Sequence, residues 1–376
     1  MKIKTLLIAM MAIMATAVSF TSCSDDDDVS ENWTKYQQAV DKNVKSNKKH
    51  DKAILLVAFG STWQQAFNAF DATKKAYEAE FGQDYDVYVS FSSAICINRA
   101  AAGEHVEDGA EVRNYYAPNF WLHGLGKAKY DEIVVQSLQV IPGEEFTRVV
   151  NYMKDFANNS LGDLDDNYLE NVSLKLGTPL LDTQDDVQAV ASALHEEVGS
   201  KLINAADKYV LFMGHGNPDT YDTYKGNVRY TQLEEALQDL NPNYFVGTVD
   251  MPENYKTNVL DRMKTRHIVG GTVYLQALMS IAGDHANNDM AGDDGEDMDP
   301  EEYEYNDEGE VEDLSWKCFF AQNGFTCDNS TCTINGGIKG LLEVDGVLKV
   351  WIKHTRAAVE GEPLEDYYHS KDPFKE

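Results

Sequence analysis

The sequence predicts an α/β protein of two similar lobes, each a mainly parallel sheet flanked by helices, with a ligand cleft between the lobes. Three observations predict it. Short apolar runs of strand length alternate with longer segments of helical period, the series restarts near residue 208 after a first pass through residues 53–198, and several apolar runs close on glycine. The implied organisation is a leader at residues 1–22, an acidic tether and linker at 23–50, a first lobe at 51–200 and a second lobe at 201–376, the last with an acidic insertion at 293–313.

The leader carries Lys2 and Lys4, then the apolar run LLIAMMAIMATAV, then small residues up to Cys23. Its core is too short to span a hydrocarbon layer of ~30 Å, which makes it a secretory signal. The residues before Cys23 resemble a lipobox, so Cys23 is the expected acylated first residue of an exported lipoprotein. The run Asp25-Asp26-Asp27-Asp28 is then either a surface-export signal or a solvated tether. Residues 29–50 are polar apart from Trp33, Tyr36 and Val40, and read as a linker or a loosely docked helix.

AILLVAFGS (53–61) has the continuous apolar character of a central parallel strand buried on both faces. Residues 62–81 place Trp63, Ala66, Phe67, Phe70 and Tyr77 at helical spacing, and YDVYVSFSS (85–93) completes a βαβ unit. EIVVQSLQVI (132–141) predicts a strand, PGEEF leads into a helix, LKLGTPLL (174–181) predicts a strand, and residues 183–198 a helix capped by Asp182 or Thr183. In the second series KYVLFMGHG (208–216), NYFVGTVDM (243–251) and GTVYLQALMSIAGDH (271–285) predict strands, with helices over 223–240 and from Glu253 to Lys264.

Composition limits the partners. The chain holds 32 Lys and Arg against 63 Asp and Glu, a net charge of −31, and loss of the leader makes it two units more negative. Nucleic acid needs a concentrated positive face, so it is not an expected partner. Residues 293–313 contain thirteen acids and no Lys or Arg, a density that predicts an exposed, mobile loop. That segment lacks the spacing of a calcium loop and reads as a solvated insertion or a weak cation-gathering one. Cys327 and Cys332 are spaced to close a small loop, and spacing alone leaves their state open. Paired CxxC motifs, HExxH and HxxxH are all missing, which argues against a zinc ribbon or a zinc hydrolase.

His215 in GHG and His285 in GDHANNDMAG each follow an apolar run, and Asp250 follows FVGTV. In open α/β sheets ligands bind beyond the carboxyl ends of the strands, so the three residues can converge although seventy positions separate the histidines. Two imidazoles and a carboxylate with open coordination positions suit a late divalent metal held loosely, and the same groups accept protons. That pairing fits metal insertion into a tetrapyrrole, where two pyrrole protons leave as the metal enters. The plainer reading is two satisfied loop histidines. Tyr221, Tyr224 and Tyr230 line the cleft or, as helical spacing favours, the core. His105 and His123 read as surface or turn residues, and His354 as a structural residue at a strand end.

The segments AILLVAFGS, VVQSLQVIPGEEF, GTPLL, LFMGHGNPD, NYFVGTVD, LMSIAGDHANNDMAG and SWK (315–317) occur in that order. Over residues 53–354 the chain thereby resembles the anaerobic sirohydrochlorin cobaltochelatases of the CbiK type, within the class II chelatases. The resemblance implies two α/β lobes around a tetrapyrrole, Co²⁺ as substrate metal with Fe²⁺, Ni²⁺ or Zn²⁺ as further candidates, and no organic cofactor. It implies metal contact by His215, Asp250 and His285 and a general-base role for His215. Phe59, Gly60, Ser61, Glu144 and Glu145 are expected in the cleft wall against the tetrapyrrole, and oligomers occur among such enzymes. Asp250 stands where the family usually has Glu, and the acidic insertion adds a segment between NDMAG and SWK. Export conflicts with a cytoplasmic corrin pathway. The competing expectation is therefore a membrane-anchored lipoprotein that binds haem or a corrinoid without turnover and passes it to an uptake transporter.

Overall fold

Among the described residues, eight strands form two four-stranded parallel sheets with the same strand order. The computed structural model describes residues 29–105, 112–218, 222–292, 314–334 and 336–361. The leader, Cys23, the aspartate run, Tyr221 and the acidic insertion lie outside them.

In the first lobe β1 (Lys52–Ala58), β2 (Asp86–Phe91), β3 (Glu132–Ser137) and β4 (Ser173–Gly177) lie in the order β2-β1-β3-β4. Ala53 to Ala58 are fully buried, as the unbroken apolar run of β1 requires of a strand covered on both faces. The longer helices are α1 (Val29–Asn47), α2 (Gln64–Phe81), α3 (Ala94–Ala102), α4 (Pro118–Lys127), α5 (Glu144–Ala157) and α6 (Gln184–Leu194), with one further turn of helix at Asp166–Leu169. Thr183 caps α6, accepting from Asp186 N while Asp186 accepts from Thr183 N at 3.0 Å. Of the two readings of residues 29–50, linker or docked helix, the helix holds: Val40 and Val44 of α1 are fully buried against Gly124, and Gln37 donates to Phe120 O at 3.1 Å.

The second lobe repeats the plan with β5 (Lys208–Gly214), β6 (Tyr244–Thr248), β7 (Gly271–Leu278) and β8 (Phe325–Thr326) in the order β6-β5-β7-β8. Its helices are α7 (Val228–Leu240), α8 (Lys256–Thr265), α9 (Trp316–Gln322) and α10 (Asn329–Cys332), and the chain ends in α11 (Asp345–Glu360). Gly214 pairs with Thr248 on one side and Leu278 on the other, so β5, β6 and β7 finish level with one another. Both sheets change winding direction at their central strand, between β1 and β3 and between β5 and β7. Such switch points open a crevice beyond the carboxyl ends of the strands.

Several expectations need correction. β7 ends at Leu278, and His285 opens a π-helical turn, His285–Ala291, instead of closing the strand. β3 and β4 are likewise shorter than the apolar runs that predict them, since Leu138, Ile141, Leu180 and Leu181 are buried in loops. His123 is buried on α4, not at a surface turn, and His354 lies within α11, not at a strand end. Tyr224 and Tyr230 are both core. α11 falls in the span 201–376 expected to build the second lobe, yet it packs on β3, β4 and α6 of the first. A helix with Val347, Val350 and Trp351 along one apolar face docks where an apolar sheet face is open, whatever its place in the chain.

Candidate metal and active site

The switch point of the second sheet delivers His215 directly after β5 and His285 after the loop that follows β7. Their imidazole centroids lie 4.8 Å apart with the rings nearly perpendicular. Backbone bonds fix the turn below: Asp250 N donates to His215 O at 2.8 Å and Val249 N to Gly214 O at 3.2 Å. Gly216 has φ of 79°, and a Cβ there would meet Thr248 and Met251 at 3.0 Å, so only glycine suits this position.

Both rings are oriented through Nδ1. His215 Nδ1 lies 2.8 Å from Gly216 O, a carbonyl that can only accept, which fixes the Nδ1–H tautomer. Asp250 Oδ2 stands 3.5 Å from the same nitrogen. His285 Nδ1 bonds the carboxylate of Asp289, one helical turn on. In each ring Nε2 then carries the lone pair available to a metal, as in carboxylate–histidine–metal arrangements. Burial works against charge on His285, but Asp289, then Asp250 and Glu145, outweigh it and raise its pKa above the ordinary value.

The first lobe contributes the opposite wall. Helix α5 begins at Glu144, and its first turn sits directly on the GHGN loop: Glu144 N donates to Asn217 Oδ1 at 3.2 Å. A Cβ on Gly143 would lie 2.3 Å from Asn217 Nδ2, so the approach requires glycine. Glu145 thereby comes within electrostatic reach of both histidines. Burial raises its carboxyl pKa, and His215, Arg148 and His285 pull it back only in part. Glu144 instead turns to Arg148 at 2.6 Å.

Phe59, Gly60 and Ser61 follow β1 at the other switch point. Gly60 has φ of 122° and packs so closely on Phe91 and Cys96 that a Cβ would approach each to 2.8 Å. Ser61 is buried, accepts from Trp63 N at 3.2 Å and lies under Gly283. It supports the loop that leads to His285. Trp63 Nε1 donates to Asp284 Oδ1 at 2.6 Å, Arg99 stands 3.6 Å from Asp284, and His105 stacks on Trp63 at 4.3 Å.

The structure thus brings His215, His285, Asp250 and Glu145 to one place, with Asp289 behind His285. Among the described residues no group of three or more His, Cys, Asp or Glu side chains is placed to hold a metal ion, and the observed core of the site is the pair His215 and His285. The sequence reading missed Asp289, Asn217 and the Trp63–Asp284 bond. The His-x-x-x-Asp spacing was the available signal for the first; the other two rest on contacts between distant segments.

The model of the cobalt chelatase (CbiK) family matches residues 52–360. The chain belongs to the CbiK family. This CbiK-family chain is 27% identical over 315 residues to the sirohydrochlorin cobaltochelatase CbiKC of Nitratidesulfovibrio vulgaris, covering 82% of this chain and 90% of that one. It is 28% identical over 247 residues to the sirohydrochlorin cobaltochelatase of Salmonella typhimurium, covering 65% and 82%. Among solved structures it is similar to SirB from Bacillus subtilis with Fe³⁺, at 12% identity and a TM-score of 0.49, over 82% of this chain and 95% of that one. As a CbiK-family member it is a metal chelatase, an enzyme whose substrate is a metal ion.

Proposed function

We propose that this chelatase inserts Co²⁺ into sirohydrochlorin, with Fe²⁺ as the second metal its donors suit. The observation that carries the reading is the facing pair His215 and His285, 4.8 Å apart by ring centroid, with carboxylates around them. Nε2 of both imidazoles and the Asp250 carboxylate hold the incoming ion above the macrocycle in an incomplete coordination sphere. As the metal enters, two pyrrole N–H bonds break, the four ring nitrogens take the ion, and two protons leave. His215 Nε2, freed as the ring nitrogens take the ion, accepts the first as general base. Glu145, with its affinity for protons raised by burial, stands next in line. The proposed tetrapyrrole wall is the α5 N-terminal turn with Glu144 and Glu145, and the Phe59-Gly60-Ser61 turn.

The leader and lipobox-like sequence support a second proposal about place: export, acylation at Cys23 and attachment to a membrane. Among the described residues no helix is long and apolar enough to cross a membrane.

The test is anaerobic absorbance of sirohydrochlorin with Co²⁺ or Fe²⁺ and purified protein, beside a His215→Ala, His285→Ala double variant. Metal-dependent conversion above the spontaneous rate, abolished in the variant, is the expected result. Tight tetrapyrrole binding with no conversion overturns insertion and leaves a carrier lipoprotein.

A further inference from the structure

Spacing leaves the state of Cys327 and Cys332 open; the fold keeps both as free thiols on one short turn, near enough for each to shift the other's acidity. Both are buried, at 7% and 2% exposure, in the apolar cluster that also contains Ala286 and Met290 of the π-helical turn. The residues between them form a closed turn fixed by its own side chains. Asp328 accepts from Ser330 N at 2.8 Å, Asp328 N donates to Thr331 Oγ1 at 3.0 Å, and Thr331 Oγ1 lies 3.6 Å from Cys327 Sγ.

This turn braces the metal site. Helix α10, which carries Cys332, packs on β7 and on the π-helical turn that begins with His285. Lys317 Nζ donates to Asn329 Oδ1 at 2.7 Å and reaches Gly292 O at 3.4 Å, tying α9, α10 and the residue after the π-helical turn into one unit.

We propose that Cys327 and Cys332 are a disulfide-forming pair, a redox modification site that locks the turn supporting His285. The oxidant is a low-molecular-weight disulfide of the glutathione class. One thiolate attacks it, forming a mixed disulfide and expelling one carrier thiol. The second thiolate displaces the other carrier thiol. The protein pair loses two protons and two electrons, and the carrier disulfide becomes two thiols. The inference stands apart from the identity of the metal or tetrapyrrole.

The test uses the full chain refolded from denaturant in a mixture of reduced and oxidised glutathione. The product is denatured, alkylated with iodoacetamide without reduction and cut with trypsin. The expected peptide 318–339 carries one alkyl group, on Cys318, and is two hydrogens lighter at Cys327 and Cys332. Alkylation of both residues, or a bridge from Cys318 to either, overturns the proposal. As a second readout, the wild type should melt a few degrees lower in dithiothreitol and a Cys327→Ser, Cys332→Ser variant should show no such change. Identical wild-type melting with and without the reductant overturns the brace.

Discussion

His285 owes its proton affinity to the residue one turn further on. Its Nδ1 bonds Asp289, and Asp250 and Glu145 add negative charge nearby, so the imidazole holds a proton to higher pH than an isolated one. A metal needs the neutral ring, so protonation of His285 should set the acid limb of the kcat/KM profile. Asp289→Asn removes the largest opposing charge. The expected outcome is an acid limb displaced to lower pH, with kcat/KM down ~10–100-fold from loss of ring orientation. A profile whose acid limb stays in place would show that His285 does not set it. His215, His285 and Asp250 could be picked out in the sequence because each follows an apolar run of strand length. Asp289 was equally visible as an i+4 acid but carries meaning only once His285 is known to begin a helical turn.

At the scale of elements, the geometry of the proposed site depends on how closely α5 approaches the GHGN loop. Gly143 is where that approach is tightest, with Asn217 filling the space a side chain would need. Gly143→Ala should push the first turn of α5 away and separate Glu145 from the histidines, lowering turnover at least ~10-fold, since small misplacements are costly in catalysis. Combining it with Asn217→Ala should recover part of the loss. Steady-state kinetics of the single and double variants decide the matter, and a double variant no better than the single one would exclude the steric account. Strand positions were legible because both-face burial writes an unbroken apolar run. Strand ends were not: Leu138, Leu180 and Ile281 continue the hydrophobic pattern after ladder pairing has stopped.

At the scale of the molecule, the chain crosses between lobes twice, and α11 returns to the first sheet. A buried ionic contact fastens it there: His354 Nε2 is 3.0 Å from Asp186 Oδ1, and Thr183 Oγ1 donates to the other oxygen at 2.6 Å. Burial alone would raise the Asp186 carboxyl, but the bonds from His354 and Thr183 outweigh it and hold the pKa down to about 2. Because the folded value lies below the unfolded one, this stabilisation is complete above the unfolded carboxylate pKa and disappears as pH falls through about 2. His354→Leu removes one of several partners of this buried carboxylate, leaving Thr183 and Lys353 Nζ at 3.5 Å, and should cost ~2 kcal/mol at neutral pH. Asp186 then takes up a proton more readily when folded, so the deficit should shrink as pH drops toward 4. Urea unfolding of both proteins at pH 7 and 4.5 measures this, and a deficit that grows toward acid would contradict the assignment.

The sequence by itself determined two α/β series, their order, the polarity of each helix and the candidate histidines. Those properties follow from local periodicity and from glycine at close turns, and both are written residue by residue. Only the tertiary structure decided that α11 serves the first lobe, that Glu145 comes within electrostatic reach of both histidines and that the helix carrying Cys332 packs on the turn that begins at His285. Each of these depends on which apolar faces find one another in space, and burial of apolar area is indifferent to distance along the chain.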